Sequence, residues 1–296
     1  MAAQSMPTLP AAHPAQYILH LADNALVHGQ RIAQWCSHGP VLEEDIAMAN
    51  IGLDHIGQAR MLYQHAAKLM TPTLATACAT LPPDGALAPE GGLAALGAAI
   101  TEDKLAYFRN PEQFCNYTLL ELPHRTAFAP SVHTEMNYAV TIARNVLYSS
   151  LMILVWAGLQ NSKDAQLAAI AGKSVKEVRY HLRHSTDWLL RLGDGTVESH
   201  KRMQSALDYL MPFTQEWWSQ TAMEKAAKDS GVGIDVAVLR PEWQASVNTV
   251  ITQATLKISS DEGHITHGKV GQHSEHLSYL LAEMQSLARA HPEGTW

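Results

Sequence analysis

Asn145-Val146-Leu147-Tyr148-Ser149-Ser150-Leu151-Met152-Ile153-Leu154-Val155-Trp156-Ala157-Gly158-Leu159 contains no charged residue. Its apolar part, 146–159, is the most apolar run in the chain, yet it includes Tyr148, Ser149, Ser150, Trp156 and Gly158. It stops short of the ~20 apolar residues that a membrane span needs. A helix that is apolar all round is one buried among other helices. The run therefore reads as the core of a helix over 136–159, and the rest of the chain must supply helices to cover it.

Working outward, Tyr17, Leu21, Leu26, Ile32 and Trp35 form a helical apolar stripe that predicts a first helix over 16–37, ended by His38-Gly39-Pro40. A second helix is predicted over 42–70, with Glu43, Glu44 and Asp45 in its first turn, where the helix dipole favours acids. A fourth covers 163–192 and stops at Gly193-Asp194-Gly195. A fifth is expected over 198–218, a linker over 226–234, a helix from Pro241 to about 256, and a last one over 274–290. Residues 1–15 are rich in Ala and Pro and read as a mobile tail. Residues 71–100 carry Pro72, Pro82, Pro83, Gly85, Pro89, Gly91 and Gly92 and read as an insertion. Strand-like alternation is nearly absent. The expected fold is all-α: a four-helix bundle with additional C-terminal helices, one domain over 16–296.

Composition narrows the function. The chain has 296 residues, 47% apolar and only 17% charged, with a net charge of -7. The low charged fraction predicts much buried helix surface, within a thick bundle or against another protein. With a pI near 6.1 and no basic stripe, nucleic acid is not an expected partner. Cys36, Cys78 and Cys115 are scattered and odd in number, which reads as reduced thiols in a cytoplasmic protein. No charged segment followed by an apolar run marks a signal peptide at the N-terminus.

Four long helices raise the question of a di-iron carboxylate centre, which needs a Glu on two helices and Glu-x-x-His on the other two. The spacing of three puts both ligands of a pair on one helix face. The first helix offers Asp23, readable equally as a former ligand or as a polar residue bonded inside the bundle. The second offers Asp54, but three residues on stands Gly57 and four on Gln58, while His55 is about 100° round the helix. Between Glu135 and Asp164 there is no acid at all, so the third helix supplies no carboxylate, only Asn137 and Asn145. The fourth offers Glu177, with Tyr180 three along, His181 four along and His184 beyond. Read alone, Glu177, His181 and His184 can bind a metal; an exposed polar edge beside Arg179 and Arg183 is the favoured reading. Two hard cations without bridging carboxylates would leave charge uncompensated in a poor dielectric. No functional di-iron centre is expected.

Near the C-terminus, Gly268-Lys269-Val270-Gly271-Gln272-His273-Ser274-Glu275-His276 concentrates polar groups. A zinc site lacks a third His or Cys in the pattern. Lys269 among glycines can meet an anion such as a phosphate. The preferred reading is a shaped loop, with Lys269, His273, Glu275 and His276 for packing or partner contact and Ser274 as a helix cap.

Several stretches together carry a resemblance: Leu21-Ala22-Asp23-Asn24-Ala25-Leu26, Ala49-Asn50-Ile51-Gly52-Leu53-Asp54 with Gly57-Gln58-Ala59-Arg60, Glu177-Val178-Arg179-Tyr180-His181-Leu182-Arg183, and Leu281-Ala282-Glu283-Met284-Gln285 with a terminal Pro292 and Trp296. From about Tyr17 to Trp296 the chain resembles the C subunits of ring-1,2-phenylacetyl-CoA epoxidases, structural partners in bacterial multicomponent monooxygenases. The resemblance implies a ferritin-like fold and no catalytic residue or cofactor in this chain. It also implies a sister A subunit that holds the di-iron site and binds the CoA thioester, a small B subunit and a reductase. Asp23, Asp54, Glu177 and His181 then become vestigial ligand positions. The competing functions are a self-sufficient metal oxidase with atypical ligands and a stand-alone binder of a CoA-type ligand through Lys269.

Overall fold

A computed structural model describes residues 9–79, 100–125, 136–263 and 265–294. Four long helices dominate: α1 (Pro14–Ala33), α2 (Leu42–Ala79), and, after two short helices α3 (Glu102–Tyr107) and α4 (Thr118–Glu121), α5 (Tyr138–Leu159) and α6 (Ala165–Gly193). α1 and α2 form one antiparallel hairpin and α5 and α6 another, and the two hairpins meet along α2 and α6. The result is a ferritin-like four-helix bundle, as expected. Further helices follow: α7 (Val197–Leu210), α8 (Gln215–Trp218), α9 (Ala222–Ser230), α10 (Arg240–Gln253) and α11 (Glu275–Ala290). Among the described residues the β-structure is one isolated bridge, His267 to Gln272.

α5 is the core helix that its composition demands. By length and composition it could cross a membrane, but 89% of its most apolar window is buried inside the protein. Asn137 starts it by accepting the Ala139 N–H at 3.1 Å. α6 is capped by Asp164, which accepts from Gln166 and Leu167 N–H groups at 3.0 Å. Gly193 and Gly195, where α6 stops, owe their identity to close packing: a Cβ on Gly193 would lie 2.6 Å from the Ala254 carbonyl oxygen, and one on Gly195 2.6 Å from that of Arg191.

Several expected boundaries move. The tail expected over 1–15 is anchored from Leu9 onward. Leu9 is buried in the core, its carbonyl accepts from Gln16 Nε2 at 2.9 Å, and His13 caps α1. Residues 1–8 lie outside the described residues. The insertion expected over 71–100 begins as helix: α2 continues to Ala79, carried by the Ala-rich run after Pro72. Residues 80–99 lie outside the described residues. The linker expected over 226–234 starts inside α9, which Thr221 and Glu224 close with a capping box and Gly231 ends at φ +78°. The fifth helix breaks at Pro212 into a 3₁₀ turn over Met211–Thr214.

Candidate functional site

The α2–α6 seam gathers three of the predicted positions. His181 is buried, and its Nε2 donates to Asp54 Oδ2 at 2.9 Å. One turn further along α2, Gln58 Nε2 donates to Glu177 Oε2 at 2.9 Å, and Lys173 stands 3.6 Å from the same carboxylate. His184 is bonded elsewhere: its Nε2 donates to Glu44 Oε2 at 2.9 Å, which also accepts from the Tyr138 hydroxyl at 2.6 Å. The edge read as exposed and polar is therefore a pairing seam, with His181 inside it. Beside Gly57 a Cβ would meet nothing within 4 Å, so no neighbour compensates for the missing histidine.

Asp23 stands apart from this seam. It is fully buried, and its carboxylate accepts from the Tyr63 hydroxyl at 2.6 Å and the Cys115 N–H at 2.8 Å while pairing with both terminal nitrogens of Arg109. The Arg109 guanidinium lies 4.2 Å from the Phe114 ring centroid. Burial alone would favour loss of its proton, but Asp23 more than offsets this and holds Arg109 cationic. Burial, with Asp23 beside it, pushes the Cys115 thiol up to about 12, so it is no nucleophile. Asp23 thus ties α1 to the loop before α4.

The interior face of α2 carries His55, the opposite of the expected arrangement. Asp54 points to the α6 seam, while His55, about 100° round the helix, points into the bundle. Its ring lies 4.7 Å from that of His28 on α1 and 4.9 Å from that of His181, and His28 lies 5.0 Å from Tyr148 on α5. One layer thus draws aromatic groups from all four long helices. Burial first, then neighbouring Arg144, pushes His28 well below the ordinary imidazole range; burial, with His28 and His181 beside it, does the same to His55. Both are neutral. No acid-x-x-His pattern announced this layer; the one available signal was His28 and His55 falling on the faces through which α1 and α2 pack.

The ferritin-like fold implies a di-iron centre, and the residues present do not fit one. Two irons need several carboxylates converging from facing helices. Here Asp23, Asp54 and Glu177 are each engaged by separate donors, and α5 contributes none. Among the described residues no group of three His, Cys, Asp or Glu side chains stands in metal-binding geometry.

The C-terminal cluster folds into a strap. Lys269 is buried, with its Nζ donating to both Glu224 oxygens at 2.9 and 3.1 Å and to the Ser219 carbonyl at 2.6 Å. All three ammonium donors are used, so Lys269 does not meet an external phosphate. His273 donates from Nδ1 to Glu121 at 2.9 Å and from Nε2 to the Phe114 carbonyl at 2.9 Å. Burial works against its charge, but the Glu121 bond prevails and raises its pKa. Ser274 occupies the cap position of α11 without a side-chain capping bond; its own N–H donates to Glu121 Oε1 at 2.6 Å. Glu275 is exposed, and His276 is half-buried with its carbonyl accepting from Arg31. A Cβ on Gly268 would lie 2.4 Å from the Asn116 carbonyl oxygen, and Gly271 has φ +81°, which is why glycines flank the lysine.

The chain is 40% identical over 280 residues, 95% of its own length and 98% of the relative's, to the C subunit of the 1,2-phenylacetyl-CoA epoxidase of Escherichia coli (strain K12). The family model described as phenylacetic acid catabolic protein matches residues 1–296. With the match spanning its whole length, the chain belongs to the phenylacetic acid catabolic protein family.

Proposed function

We propose that this chain is the non-catalytic structural subunit of a bacterial multicomponent oxygenase that epoxidises the ring of phenylacetyl-CoA in aerobic phenylacetate degradation. It pairs with a catalytic sister subunit that carries the di-iron centre, in a complex with a small B subunit and a reductase. The observation that carries the reading is the fate of the carboxylates. Each acid at a ligand-like position has its own partner — Arg109 for Asp23, His181 for Asp54, Gln58 for Glu177 — and none is left to bridge two metals. The relative's name supplies the reaction and the existence of other subunits. Against a self-sufficient oxidase stands the separate pairing of these acids, and against a CoA binder acting through Lys269 stands the engagement of its ammonium by Glu224 and Ser219.

The test measures iron and turnover in the isolated chain, the isolated sister subunit and their complex. Iron should follow the sister subunit, and phenylacetyl-CoA epoxidation should need the complex. About two irons per isolated chain, the complement of a di-iron bundle, or turnover by this chain alone, would overturn the proposal.

A further inference from the structure

Twelve large apolar side chains among the described residues stand exposed, and five of them lie on or beside the outer side of the first half of α2. Val41 leads into the helix; Leu42, Ile46 and Leu53 are 72%, 54% and 67% exposed along it; and Tyr180, next to the His181 that bonds Asp54, is 48% exposed on α6. Leu42, Ile46, Ala49 and Leu53 follow one another at steps of four, three and four. That is a/d spacing over about one and a half heptads, the pattern that seats the side chains of one further helix. The other faces of α2 are already taken: His55 and Ala59 are buried within the bundle, and Asp54 and Gln58 pair with α6. On the open side Gly57 leaves space for close backbone approach, exposed Glu43 and Asn50 border the apolar line, and Arg60, seven residues after Leu53 and paired with Glu102, ends it.

We propose that this ridge is the docking surface for a helix of the catalytic sister subunit, one that presents its own apolar a/d stripe. The inference rests on the subunit reading above. The shape favours a helix over a small molecule, because a ridge engulfs nothing while a heptad seam interdigitates with another. The relative is itself one lettered subunit of an epoxidase, so a partner chain exists to supply that helix. Such a contact also accounts for apolar side chains held in the open on a chain with a net charge of -7.

Association with the sister subunit, followed by sedimentation velocity, tests the surface with Ile46→Asp/Leu53→Asp and, as a control on α11, Tyr279→Asp/Leu287→Asp. Ile46→Ser and Leu53→Ser provide milder variants, and circular dichroism confirms that each folds. The unaltered chain and the α11 control should bind alike; the double variant should weaken binding by about a hundredfold or more, and each serine variant by about tenfold. Equal binding by folded Ile46→Asp/Leu53→Asp overturns the surface and leaves the subunit reading standing. No association by the unaltered chain overturns both. Self-association of the unaltered chain that the double variant abolishes assigns the ridge to a second copy and overturns the proposed occupant.

Discussion

Replacing Asp23 by Asn separates a structural carboxylate from an idle former ligand. The carboxylate accepts four hydrogen bonds, from the Tyr63 hydroxyl, two Arg109 nitrogens and the Cys115 N–H, at 0% exposure. Asn keeps the shape, removes the charge and turns two N–H donors toward a site lined with donors. Arg109, 3% exposed, is then left as a buried cation without its counter-ion. Breaking one partner of such a pair costs about 3–5 kcal/mol. With about 2.1 cal/mol/K of unfolding entropy per residue, a chain of 296 residues loses roughly 5–8 °C in Tm. Asp54→Asn is the internal comparison: its side chain is 39% exposed and, among the described residues, bonded through His181, so solvent screening limits the loss to about 1 kcal/mol, under about 2 °C. Thermal unfolding followed by circular dichroism reads both. A fall for Asp23→Asn no larger than that for Asp54→Asn refutes the assignment. The paired variant Asp23→Leu/Arg109→Met should recover most of the loss, because it removes both charges together.

Lys269→Met strands the buried Glu224 carboxylate and should cost about 3–5 kcal/mol while exposing the 265–274 strap to limited proteolysis; an unchanged cleavage pattern with unchanged Tm argues against the strap. Burial depresses the pKa of His28, His55 and His124, whose unfolded value is near 6.5, so their stabilising contribution is present above 6.5 and is lost as pH falls below it. From pH 7 to pH 5 the three together should lower the urea midpoint, and His55→Leu should flatten that dependence; an identical pH profile for the variant counts against it. Gly57→Ala adds a methyl into open space in mid-helix and should stabilise by about 0.5–1 kcal/mol, visible as a rise of about 1 °C in Tm, whereas a fall would mean that the position is packed.

The helices were legible because their signals are local. The uncharged run before Leu159 marks a helix buried on all sides, and acids at 43–45 mark the start of α2. The missing third-helix carboxylate needed no structure at all. What sequence could not supply was rotation. Whether Asp54 or its neighbour His55 faces the interior depends on which side of α2 packs on α1, and the observed rotation brings α2 close to Gly29, where a Cβ would lie 3.0 Å from Ile56 and 3.1 Å from His55. The same holds for Lys269, whose glycine neighbours suggest an accessible phosphate loop. They in fact let the backbone press against Asn116 while the ammonium finds Glu224, more than forty positions away in sequence. Long-range pairs such as Asp23–Arg109 have no spacing rule to announce them.

These pairings show how a ferritin-like bundle can satisfy its carboxylates with its own side chains. Carboxylates within and between packed helices repel one another unless something positive, or a set of hydrogen-bond donors, stands among them. In a metal centre the ions do that collectively. Here the task is divided: a guanidinium for Asp23, a histidine for Asp54, an amide and a lysine for Glu177, a histidine and a phenol for Glu44. Each partner comes from a different place in the chain, and the central layer is left to neutral rings. Building a di-iron centre here would therefore require more than Gly57→His. It would require freeing at least two carboxylates from their partners and placing a new acid on α5, at a cost of about 3–5 kcal/mol where a buried pair such as Asp23–Arg109 is broken. On the proposed reading, that cost weighs against a metal in this chain, and association with a metal-bearing partner is the route by which it would serve oxidation chemistry.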